Sequence, residues 1–211
     1  TLRLLQPEAG YQWYSIRFRS IRDETGRAIK LIGQLTNIHH QKLEEDRLRH
    51  EASTDLLTQI YNKITTEHLV SLELQEGRNH ALIVVDLDKF KYANDTFGHL
   101  FGDSVIKAVA ATLRATFRAT DIVGRTGGDE FVVLAKDISL SDGLETLKAK
   151  CRRLSVELAH VSLGQDYVIS ASIGISLFPR DGKTYAELFA KADAALYQIK
   201  NTGRGHFAVY G

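Results

Sequence analysis

The stretch Arg118-Ala-Thr-Asp121-Ile-Val-Gly-Arg125-Thr-Gly127-Gly128-Asp129-Glu130-Phe131, running on through Val132, Val133 and Leu134, decides how the rest of the 211-residue chain is read. Residues 121–125 and 130–135 have strand composition, short and mainly apolar with β-branched types. Gly127 and Gly128 between them predict the positive-φ positions of a tight hairpin turn. The result is a hairpin carrying two acids at its tip. Taken alone, such a pair is also what a solvated loop guarding a strand edge looks like.

A second acidic site changes that balance. Ala81-Leu82-Ile83-Val84-Val85-Asp86-Leu87-Asp88 is a continuous apolar run ending in acids, the pattern of a strand buried on both faces that delivers Asp86 to a sheet end. With this strand beside the hairpin, Asp86 and Asp129 meet at one edge. Two carboxylates brought together repel unless a cation lies between them, and hard oxygen donors without His or Cys point to magnesium rather than zinc. Magnesium held in this way serves phosphate chemistry.

The residues 127–131, Gly-Gly-Asp-Glu-Phe, are the signature of the GGDEF family of diguanylate cyclases. Asp86-Leu87-Asp88-Lys89-Phe90-Lys91, with Asn94, Asp95 and the spacing Gly98-His99-x-x-Gly102-Asp103, resembles the family's second signature. The resemblance begins at Asp55-x-Leu57-Thr58 with Asn62, and closes on Ala192-Asp193-x-Ala195-Leu196-Tyr197-x-x-Lys200-x-x-Gly203-Arg204. The chain departs from the pattern at Gln59, where the family usually has Gly, at Lys63, where Arg is usual, and at Gly205, where Asn is common.

The resemblance implies condensation of two GTP into cyclic di-GMP and pyrophosphate across a homodimer, with two Mg2+ ions per active site and Mn2+ as the alternative ion. The implied metal ligands are Asp86, the Leu87 carbonyl and Asp129, with Glu130 either a further ligand or the base for the attacking hydroxyl. Asn94 and Asp103 are implied as guanine contacts, since a carboxylate accepts from both the N1–H and the 2-amino group; Asp103 also fits a helix N-cap. Lys200 and Arg204 are implied phosphate ligands, although cations at a helix end also complement its dipole. Phe90 and Lys91 open the loop after Asp88 and belong to the same substrate-binding set. Arg118 and Asp121 resemble the family's inhibitory product site, a spacing that by itself is only a surface ion pair. A second reading stays open: a catalytically silent domain that binds GTP or cyclic di-GMP and controls a neighbouring phosphodiesterase domain.

The whole composition fits this. With 44% hydrophobic and 25% charged residues, the chain has the makeup of a globular protein with a proper core. A net charge of +1 gives no general attraction to nucleic acid or to a membrane surface. The single Cys151 and the lack of any long apolar run suit a cytoplasmic setting, and the absence of Met suggests a piece of a longer parent.

In chain order, residues 11–20 alternate as a half-buried strand, and residues 28–38 pair with it through a turn at 23–26. This hairpin resembles the last two strands of a PAS sensor domain and predicts a fragment over 1–38. Residues 39–54 predict a charged linker helix, either a solvated spacer or a coiled-coil contact. Over 55–211 the expected elements are a helix at 53–76, the buried strand, a loop after Asp88 whose amides face phosphates, and a helix at 103–117. The metal hairpin follows, then a helix at 141–158 and a strand at 167–176. A last helix is capped by Thr184 and Glu187 and stopped by Gly203, and a final strand spans 206–210. This order predicts an α/β (α+β) domain with a mostly antiparallel sheet. It is similar to the ferredoxin-like palm of nucleotidyl cyclases and polymerases.

Overall fold

The computed structural model describes residues 1–8, 10–139 and 142–211. It divides into two compact units, Thr1–Ala52 and Ser53–Gly211.

In the first unit, β1 (Leu2–Gln6), β2 (Gly10–Arg22) and β3 (Ala28–Asn37) form an antiparallel sheet in that order. The expected hairpin is thus three strands, because the five-residue β1, too short to show a period, pairs along Tyr11–Tyr14. The β2–β3 turn is held by Asp23, whose Oδ1 accepts the Thr25 and Arg27 amides at 3.0 Å. The Asn37 side chain accepts the His39 amide at 2.9 Å, ending the strand and opening α1 (His39–Ser53). Register places Ile16 opposite Leu35 and Ser20 opposite Leu31, so one sheet face is apolar while Arg17 and Arg19 point to the other.

The second unit is a five-stranded sheet ordered β5 (Ile122–Arg125), β6 (Glu130–Ala135), β4 (His80–Leu87), β7 (Ala171–Phe178), β8 (Phe207–Val209). All pairs are antiparallel except β7 with β8, as the element order predicts. Because β4 is central, successive residues enter different cores, which is why its sequence is apolar without alternation. Ile83 and Val85 pack with α4 (His99–Thr116) and α5 (Gly143–Ala159), through Val105, Val109, Leu113, Leu147, Leu154 and Leu158. Leu82 and Val84 pack on the other face with α2 (Lys63–Leu74) and α6 (Tyr185–Thr202), through Val70, Leu188, Ala192 and Leu196. Gly174 allows the closest approach there: a Cβ on it would run into the Ala192 carbonyl of α6.

Five local expectations are corrected. The helix expected at 53–76 starts only at Lys63, because Asp55 Oδ1 takes the Thr58 amide at 2.9 Å and hydroxyl at 2.6 Å and bends the chain first. Gln59 completes that bend at φ 59°, the left-handed region for which Gly is suited, and Asn62 then caps α2 through the Thr65 amide at 3.0 Å. The loop expected after Asp88 is helical, as α3 (Phe90–Phe97), entered through Lys89 at φ 56°. The following helix begins at His99 behind Gly98, four residues before Asp103, which removes the N-cap reading of that acid. Gly127 and Gly128 do not adopt positive φ; the four-residue connection 126–129 closes instead through the Thr126 and Gly127 amides on the Glu130 carbonyl, at 3.0 and 3.4 Å. Finally, β7 starts at Ala171 rather than 167, with the Ser170 carbonyl still taking the Asp88 amide at 2.9 Å in the register of the ladder. The expected start of the 141–158 helix at Ser141 lies outside the described residues.

The α6 cap is as read: Thr184 Oγ1 accepts the Glu187 amide at 3.2 Å, Glu187 Oε2 accepts the Lys183 amide at 2.7 Å, and Gly203 at φ 140° ends the helix.

Candidate functional site

Strand register assembles the acids. Asp86 lies opposite Glu130 on β6 and opposite Ser172 on β7. One residue on, the Leu87 amide donates to the Asp129 carbonyl at 3.2 Å, which ties the hairpin tip to the end of β4. Burial pushes the Asp86 carboxyl up from its ordinary value, and the charges of Asp129 and Asp88 push the same way, while the Lys200 ammonium pulls it down. That ammonium sits 2.9 Å from Asp86 Oδ2. Thr126 Oγ1 donates to Glu130 Oε2 at 2.9 Å and so fixes one oxygen of the Glu130 carboxylate.

The tip itself is anchored by Arg125. Its guanidinium donates to Gly128 O at 2.7 Å and Gly127 O at 3.2 Å, and reaches both Asp55 oxygens at 3.1 and 3.2 Å. Burial alone would raise the Asp55 carboxyl, but the hydrogen bonds from Thr58 and Arg125 outweigh it and hold the group below its ordinary value. Sequence reasoning misses both Arg125 and Thr126. The available signal was the placing of an arginine two residues before the glycine pair, with the Asp55-x-Leu57-Thr58 turn elsewhere to receive it.

Asp88 does structural work. It is buried, and it accepts from Ser170 Oγ at 2.6 Å, Ser172 Oγ at 2.7 Å and the Gly205 amide at 3.0 Å. This network joins the ends of β4 and β7 to the turn after α6. Lys200 and the exposed Arg204, at φ 60°, therefore stand at the same sheet end as Asp86.

The implied guanine contacts lie on α3 and α4. Asn94 is half-buried and Asp103 is exposed. Between them Gly102 has no side chain because a Cβ would collide with the Asn94 amide group. Phe97, Phe101 and Tyr167 form a ring cluster, with centroids 4.9 to 6.1 Å apart, that braces the two helices. Phe90, packed against the main core, and the exposed Lys91 occupy the first turn of α3.

The donor set fits magnesium: the carboxylates of Asp86 and Asp129, the Leu87 carbonyl and Glu130 are all hard oxygens. Among the described residues no three carboxylate, His or Cys side chains converge tightly enough to hold a metal ion by themselves. The rest of the coordination shell would come from phosphate oxygens and water, which is how magnesium commonly sits on a nucleotide.

Arg118 and Asp121 lie at the far end of the β5–β6 hairpin from the acids. Asp121 is buried; its two oxygens accept the Arg118 and Lys136 amides at 2.8 and 3.0 Å, so the carboxylate shapes this corner. A pocket of about 190 Å³ opens there, lined by Arg118, Asp121, Lys136, Thr146 and Lys150. Lys150 of the same chain also lies 5.5 Å over the Phe117 ring.

Comparison with known proteins gives the family. The family described as "Diguanylate cyclase, GGDEF domain" matches residues 52–206. The cyclic di-GMP phosphodiesterase PdeR of Escherichia coli is 33% identical over 95% of this chain, which spans 31% of that protein. The bifunctional diguanylate cyclase/cyclic di-GMP phosphodiesterase MucR of Pseudomonas aeruginosa is 37% identical over 74% of this chain and 23% of its own length. The chain thus spans about a quarter to a third of these relatives. Among solved structures, the coiled coil and GGDEF domain of DgcB from Caulobacter crescentus, in complex with c-di-GMP, superposes with a TM-score of 0.74 at 25% identity, covering 82% of this chain and 93% of that one. The chain belongs to the GGDEF family of diguanylate cyclase domains.

Proposed function

We propose that this chain is a working diguanylate cyclase unit. The observation that carries the reading is the register of Asp86 against Glu130, with Asp129 tied to the same strand end. A domain used only for binding has no chemical need for all three acids.

In this reading Asp103 and Asn94 hold the guanine, and Lys200, Arg204 and the first turn of α3 at Phe90 and Lys91 take the polyphosphate. Asp86, the Leu87 carbonyl and Asp129 hold Mg2+ or Mn2+. When bound there, the metal would supply charge neutralisation at the reacting phosphate and a lowered pKa for the attacking hydroxyl. Glu130, steadied by Thr126, takes the proton of the 3′-hydroxyl. The 3′-oxygen of one GTP bonds to the α-phosphorus of the other, and the bond to the β-phosphate breaks with release of pyrophosphate. Two such steps, between sites facing each other across a homodimer, give one cyclic di-GMP and two pyrophosphates. Cyclic di-GMP at Arg118 and Asp121 then holds two domains apart and slows turnover. The first unit is read as the C-terminal part of a PAS-like sensor, with α1 as the linker, in a cytoplasmic setting. Among the described residues no helix is long and apolar enough to cross a membrane.

A second reading has its own support: PdeR, whose match runs over 95% of this chain, is named a phosphodiesterase. A silent regulatory domain would bind GTP without consuming it. Pyrophosphate release from GTP and Mg2+, measured beside binding of a GTP analogue with a non-cleavable α,β bond, separates the two. Binding together with release supports the cyclase, and binding without release supports the regulator.

A further inference from the structure

The Lys200 ammonium does not stand apart as a free phosphate ligand: it lies on Asp86, the acid assigned to the metal. The remaining groups around it explain why. Asp86 is half-buried at the end of a central strand, opposite Glu130 and beside the Asp129 connection, so the Lys200 ammonium at 2.9 Å is the cation that faces it. Asp88 is buried and already accepts from Ser170, Ser172 and Gly205, and the Lys200 ammonium is paired with Asp86 instead. The base of Lys200 is also fixed. Helix α6 is seated on the sheet at Gly174, Ser176 Oγ donates to the Leu188 carbonyl at 2.8 Å, and the turn beyond the helix is tied to Asp88. Only the flexible four-carbon arm is left to move, and a lysine ammonium is a compact charge that can exchange one anionic partner for another.

We propose that Lys200 is a gate for the metal: without nucleotide its ammonium occupies the place on Asp86 that a divalent cation would take, and it leaves when the polyphosphate of GTP offers it a new partner. Metal and ammonium compete for one carboxylate, and nucleotide resolves the competition in favour of the metal. The nucleotide-free protein therefore holds Mg2+ weakly, and metal and GTP enter together. The inference rests on the metal role of Asp86 proposed above.

The test is direct binding of Mn2+, followed by the electron paramagnetic resonance of the free ion, to the wild-type chain and to Lys200→Gln and Asp86→Asn variants. Lys200 has no core role, and circular dichroism checks the fold of each variant. Without nucleotide, Lys200→Gln should bind Mn2+ more tightly than wild type, on the order of tenfold, since a unit charge at contact distance has been removed. With a GTP analogue that cannot be cleaved at the α,β bond, the advantage should vanish or reverse, because the variant also lacks a phosphate ligand. Equal Mn2+ affinity of wild type and Lys200→Gln without nucleotide, alongside binding that Asp86→Asn weakens, would overturn the gate and leave the metal site standing. Mn2+ binding that Asp86→Asn leaves unchanged in both conditions would overturn the metal assignment and the gate with it.

Discussion

Each acid at the β4 end carries a different burden. Asp129 is half-buried on the 126–129 connection and belongs to neither hydrophobic cluster, so Asp129→Ala should cut product formation by on the order of a hundredfold or more. Its thermal unfolding should stay within a degree or two of wild type; near-normal turnover in Mg2+ would dismiss this hairpin as the catalytic one. Arg125 is the opposite case, since it binds two carbonyls of the tip and the Asp55 carboxylate while its side chain is only 16% exposed. Arg125→Ala should cost roughly 1–3 kcal/mol of stability in denaturant unfolding and also lower turnover, because the tip loses its anchor. The Asp55 carboxyl is held below its usual range, so its contribution is present above an unfolded pKa of about 4. That contribution is lost as pH falls through the depressed folded value. Asp55→Asn should flatten this acid limb of the stability profile, whereas a profile identical to wild type would show that the pair carries no net stabilisation.

At the scale of elements, the apolar run of β4 and the capping pair of α6 were legible because burial on both faces and a cap each leave a direct mark on residue order. The entry into α2 was not, because Asp55 and Gln59 spend polar groups on a local turn that competes with helix and shows no break in helix-former composition. The glycines of the tip were legible as a connection but not in their geometry. Neither backbone angle nor crowding calls for glycine there: a Cβ at Gly128 would meet open space, and one at Gly127 would touch only Glu130. Gly102 is the complementary case, since a Cβ there would push Asn94 aside. Gly102→Ala should therefore destabilise the domain by about 1–3 kcal/mol and weaken binding of a GTP analogue in calorimetry. Asp103→Ala should instead relax the preference for GTP over ATP, on the order of tenfold or more, with little change in stability. Unchanged preference would leave Asp103 as a solvent-exposed helix residue.

For the whole molecule, the proposed catalytic and inhibitory sites would stand at opposite ends of one hairpin. Asp129 and Glu130 lie at the tip of β5–β6, and Arg118 with Asp121 lie at its base, so under the proposed function a ligand at the base would touch the hairpin without touching the substrate. Sequence spacing put the acids and the Arg118–Asp121 pair at the two ends of the hairpin, and the structure places those residues there. It could not show that the Asp121 oxygens already accept the Arg118 and Lys136 amides, while the side chains of Arg118, Lys136 and Lys150 line the pocket. Added cyclic di-GMP should lower maximal turnover without changing the GTP concentration at half-maximum, and Arg118→Ala should remove that inhibition while sparing initial turnover. Inhibition that GTP overcomes, or that survives in the variant, would reject the site. The most direct measurement of the central claim is simpler: incubate the chain with GTP and Mg2+ and identify the products by mass. The account predicts cyclic di-GMP with two pyrophosphates for each molecule formed, lost in Asp129→Ala. GTP bound but recovered intact from the wild-type chain would contradict it.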